Sequence, residues 1–72
     1  MVTIDAPIEA DALRLRHEFI ALPGLKLTLS QTARLLDVRV HHAELLLDVL
    51  VEEQFLIRTP DGMYRRRHPL TA

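Results

Sequence analysis

Seventy-two residues, 49% of them hydrophobic, with a net charge of −1, describe one small folded domain rather than a disordered chain or a polycation that coats nucleic acid. The lack of cysteine excludes disulfides, zinc–thiolate sites and iron–sulfur clusters, and no apolar run approaches the roughly 20 residues that span a bilayer. No basic segment followed by an apolar stretch opens the chain, so a cytoplasmic location is expected.

Charge is unevenly placed along this single domain, residues 1–72. Residues 1–22 carry Asp5, Glu9, Asp11 and Glu18 against Arg14 and Arg16, whereas residues 55–72 carry Arg58, Arg65, Arg66 and Arg67 against Asp61 alone. The C-terminal part is locally basic on a mildly acidic body. Only Phe19, Phe55 and Tyr64 are aromatic, so the core must be built from leucine, valine and isoleucine.

A first helix is predicted over about residues 6–22. Ile8, Ala12, Leu15, Phe19 and Leu22 recur at helical spacing and form its buried stripe. Asp5 is placed to cap it, Pro7 is tolerated in a first turn, and Pro23-Gly24 ends it. LKLT alternates and predicts a short edge strand. Thr28 with Gln31 three positions later is a capping box, so a second helix is expected over about 29–36 with Ala33 and Leu36 inward. Asp37 then occupies a turn, where aspartate tolerates left-handed backbone better than most residues.

A third helix is predicted over about 40–53, buried through Ala43, Leu46, Leu47, Leu50 and Val51. Two β-prone runs within about 55–67 flank Thr59-Pro60-Asp61-Gly62 and predict a two-stranded hairpin. His68 to Ala72 form a tail. The expected class is α+β, mainly helical: three helices, a short strand and a C-terminal two-stranded wing, the winged helix-turn-helix layout. In that layout the second helix braces the third in the DNA major groove while the wing lies along the backbone.

Residues 27–66, LTLSQTARLLDVRVHHAELLLDVLVEEQFLIRTPDGMYRR, resemble the DNA-binding domain of IclR-type bacterial transcriptional regulators. The likeness is carried by Leu27-Thr28, Ala33, Leu36, Leu46-Leu47, Leu50-Val51-Glu52, Phe55-Leu56, and Pro60-Asp61-Gly62 with Tyr64. Asp37 and Gln54 stand where that family usually has glycine. His41, His42, Glu44 and Leu45 replace the small hydroxyl and basic residues that the family places near the start of its recognition helix. The large effector domain of those regulators has no counterpart, so the resemblance implies fold and DNA contact but not ligand sensing.

The candidate DNA-contacting residues are Arg39, His41 and His42 at the start of the third helix and Arg58, Arg65, Arg66 and Arg67 in the wing. Arginines there neutralise phosphates or enter a minor groove; they also discourage edge-to-edge sheet aggregation. Strand alternation sets Arg65 and Arg67 on one face and Arg66 on the other. Adjacent His41 and His42 diverge by roughly 100° on a helix and cannot share one ion, so no metal site is expected. Neither a glycine-rich phosphate loop nor a nucleophile–base pairing is present, and no enzyme activity or cofactor is expected.

Leu45 projects from the outer side of the third helix, and Leu13 and Ile20 form a second apolar stripe on the first. These three are candidate contacts for a homodimer or another protein. Two functions follow: a small, homodimeric DNA-binding transcriptional regulator, or a winged-helix protein–protein interaction module that binds no DNA.

Overall fold

The computed structural model describes residues 6–67, with side chains from Ile8 onward. The expected Asp5 cap and the tail from His68 lie outside the described residues. The chain forms α1 (Ala6–Ala21), β1 (Lys26–Leu27), α2 (Leu29–Leu36), α3 (Val40–Glu52), β2 (Leu56–Arg58) and β3 (Tyr64–Arg66). It is a mainly helical α+β domain with a three-stranded antiparallel sheet in the order β1-β3-β2.

The sheet has one strand more than the predicted hairpin. β1 is an edge strand of the same sheet, pairing Lys26 with Arg65 and Leu27 with Tyr64, while β2 pairs Leu56 with Arg66, Ile57 with Arg65 and Arg58 with Tyr64. Leu27, Leu56 and Tyr64 therefore share one face, and all three are buried against the helices. Burial of this row fixes the register, since a one-residue slip would turn it to solvent.

The core joins Ala12, Leu15 and Phe19 of α1 to Leu36 of α2 and Leu46, Leu47 and Leu50 of α3. Leu22, predicted on the buried stripe of α1, is exposed instead. The helix closes with the Leu22 amide bonded to the Glu18 carbonyl, and the Leu25 amide then bonds to the Leu22 carbonyl as the chain reverses through Gly24 at φ 88°. Leu25 packs against the core in its place.

The start of α2 has the expected capping box. Thr28 Oγ1 accepts from the Gln31 amide at 3.1 Å, and Gln31 Oε1 accepts from the Thr28 amide at 2.9 Å. Thr32, fully buried, donates its hydroxyl to the Thr28 carbonyl at 2.9 Å, so this buried polar group is satisfied. Thr28→Ala removes one half of the box and is expected to lower stability by about 1 kcal/mol, read from the urea midpoint at unchanged slope.

α2 and α3 end alike. The Asp37 amide bonds to the Arg34 carbonyl and Val38 to Ala33; Gln54 bonds to Val51 and Phe55 to Leu50. This double closure is the Schellman arrangement, which needs a left-handed residue at the penultimate donor. Asp37 (φ 57°) and Gln54 (φ 63°) supply it without being glycine. Glutamine has no short polar side chain to ease that conformation. Gln54→Gly is therefore expected to raise stability by about 0.5–1 kcal/mol, the relief of strain exceeding the entropy that glycine adds to the unfolded chain. An unchanged or lowered melting temperature would contradict this.

Candidate nucleic-acid interface

The pairing register sorts the basic residues of the sheet. Lys26 of β1 and Ile57 of β2 flank Arg65 of β3 on the face turned away from the helices. Arg67 follows with the parity of Arg65 and is held by its amide on the Phe55 carbonyl at 3.0 Å. Lys26 and Arg67 are exposed and Arg65 is half-buried. Arg58 is exposed on the outer strand β2, where the hairpin turns back. None of these four side chains enters an ion pair among the described residues.

Arg66 lies apart from the other predicted phosphate contacts, as strand alternation expects. It shares the side of Leu56 and Tyr64, and its guanidinium lies 5.0 Å from the centre of the Phe55 ring. Arg16 of α1 approaches the same ring at 4.8 Å and is itself ion-paired with Glu53 at the end of α3. Two arginines and one aromatic ring thus tie the sheet to α1 and α3. Arg66 Nε is buried without a hydrogen-bond partner among the described residues.

His42 lies apart from Arg39 and His41. It does not sit on the open side of α3 but turns toward α1, where its Nε2 donates to Asp11 Oδ2 at 2.9 Å. Asp11 also receives Arg14 at 3.3 Å, so its carboxylate joins two helices. Arg39 and His41 are exposed at the first turn of α3, as expected. Arg39 is the N-cap residue and makes no side-chain capping bond. His41 stands 4.0 Å from Glu44.

Beyond that first turn, α3 presents Glu44, Leu45, Asp48 and Glu52 to solvent. α3 itself carries no lysine or arginine. The exposed lysine and arginine side chains outside ion pairs, among the described residues, are therefore those of the outer sheet face, Arg58 on the parity of Leu56 and Tyr64 at the hairpin end, Arg34 on α2, and Arg39 just before α3. No family model, curated protein or solved structure matches this chain. The residues alone carry the functional argument.

Two cations escaped the sequence reading. Lys26 joins Arg65 only because β1 pairs with β3, although its alternation between Leu25 and Leu27 was visible in LKLT. Arg34 is exposed in the last turn of α2, where a cation complements the helix dipole. Among the described residues no group of His, Asp and Glu is arranged to hold a metal ion. No helix among them is long and apolar enough to cross a membrane.

At the hairpin tip Asp61 accepts from the Thr59 hydroxyl, and Lys26 lies close enough to attract it. That hydrogen bond, followed by smaller backbone and Lys26 contributions, holds the Asp61 carboxyl below its ordinary range against slight desolvation. A depressed folded-state value makes its contribution present above the unfolded value and lost as pH falls through the folded one. The difference in urea midpoint between the parent and Asp61→Asn should therefore be constant near neutrality and shrink below about pH 4. A difference that persists undiminished in acid would refute this assignment.

The proposed partner-binding side chains divide. Leu45 lines an open apolar groove of about 410 Å³ with Ile8, Val49 and Val51. Leu13 lines an adjoining hollow of about 180 Å³ that shares Ile8 and Val49. Ile20, 49% exposed, lines neither.

Proposed function

We propose that this chain is a winged-helix protein that binds double-stranded DNA and serves as a transcriptional regulator. The observation that carries the reading is the set of cations on the sheet, Lys26, Arg65, Arg67 and Arg58, none of which forms an ion pair among the described residues. Three helices with a braced α2–turn–α3 unit and a following antiparallel hairpin support the winged-helix part. Arg39 and His41 would face the duplex at the start of α3. Most of the affinity would come from the sheet, because phosphate contact depends on positive charge and α3 has little.

Titration of the full chain into labelled random-sequence duplex, followed by fluorescence anisotropy over a series of salt concentrations, tests this. Four phosphate contacts predict a log–log slope of about −3 to −4. No binding to duplex at low ionic strength sinks the proposal. Pairing of two copies through Leu13 and Ile20 would let the domain read two half-sites; a monomer mass by sedimentation at high protein concentration removes that part.

A second reading, a protein-interaction module without DNA binding, is favoured by one observation. The exposed side of α3 past its first turn is acidic and apolar, a surface that phosphates avoid. Peptide capture at the groove beside Leu45, with no duplex binding, would establish it.

A further inference from the structure

The geometry points to the α1–α3 groove as a docking site for a cationic amphipathic helix from a partner protein; this rests on the interaction reading and not on DNA binding. Leu45, Asp48, Val49 and Glu52 line the groove from α3 at spacings i, i+3, i+4 and i+7, one side of a helix over two turns. Ile8 faces them from α1, and the adjoining hollow extends the apolar floor to Leu13, which is 52% exposed. A trough about 10 Å long between two helices fits a third helix presenting two apolar anchors one turn apart.

Charge selects the occupant. Glu9, Asp48 and Glu52 are exposed around the groove and enter no ion pair among the described residues. The cation nearby, Arg16, is already taken by Glu53. Isologous pairing of two copies would set one acidic rim against another, which is repulsive. The basic sheet of a second copy offers the charge but only Ile57 as an apolar anchor on its outer face. A helix with leucines along one side and lysines or arginines flanking them satisfies both the floor and the rim.

The test uses the full chain, without DNA, and a fluorescein-labelled leucine–lysine peptide of about 14 residues, four helical turns. Saturable binding is expected, with amide shifts in NMR confined to the neighbourhood of Ile8, Leu45, Val49 and Glu52. Asp48→Lys with Glu52→Lys should weaken it about tenfold, and Leu45→Ser should weaken it without changing the salt dependence. All three positions are exposed, and matched melting curves confirm that the variants fold. Equal binding of a scrambled peptide of the same composition would overturn the helix-in-groove geometry. Equal or tighter binding of a leucine–glutamate peptide would overturn the cationic occupant while leaving an interaction module standing. Absence of saturable binding by the leucine–lysine peptide overturns the proposal outright, whatever the duplex titration shows.

Discussion

Replacing Lys26, Arg65 and Arg67 together by alanine is expected to lower affinity for duplex DNA by two to three orders of magnitude at about 0.1 M salt. Each phosphate contact releases close to one counterion, so at that concentration each contributes nearly tenfold. The log–log salt slope should become shallower by about three. These side chains stand on the outer sheet face and form no ion pair among the described residues, so their loss leaves the core untouched. Arg66→Ala makes the opposite pattern: an unchanged salt slope, with stability lowered by about 0.5–1 kcal/mol through loss of its stack on Phe55. If Arg66 alters the slope and the triple variant does not, the sheet face is not the phosphate surface.

Phe19→Ala is expected to leave about half or more of the molecules unfolded at room temperature. Phe19 is the largest fully buried side chain, set on α1 within the core cluster shared with α3. Truncating such a residue costs about 3–5 kcal/mol, through lost transfer energy and the cavity left behind. A domain of this size without disulfide or metal has a net stability of about 3–5 kcal/mol, so the two nearly cancel. Far-UV circular dichroism and urea titration read the result. Phe19→Leu keeps most of the volume and should cost less than about 1.5 kcal/mol, retaining a cooperative transition. A cooperative melt for Phe19→Ala near the parent midpoint would mean that the core cluster is not what holds the fold.

The helices were legible because their signals are local. Periodic leucines, the Thr28–Gln31 box and the Pro23-Gly24 stop lie within a few residues of the boundaries they set, and Asp37 takes the left-handed conformation expected of it. The short edge strand was legible in the alternation of LKLT, but its pairing was not: the partner of β1 lies beyond both α2 and α3. Leu22 and Leu25 exchanged roles because periodicity does not say where a turn removes the chain from its helix. Alternation correctly separated Arg66 from Arg65, but what waits on the other side, the Phe55 ring, is a tertiary fact. His42 was read as outward for the same reason: its partner Asp11 sits on another helix.

The position of β3 at the centre of the sheet has a consequence for synthesis. Leu27 finds Tyr64, and Lys26 finds Arg65, only after everything between them has been made. Until residues 64–66 leave the ribosome, β1 and β2 have no strand to pair with and Leu27 and Leu56 have no completed layer to cover them. The helices can form on the nascent chain, but closure of the domain waits for its last strand, with a long loop to close before the final contacts reward it.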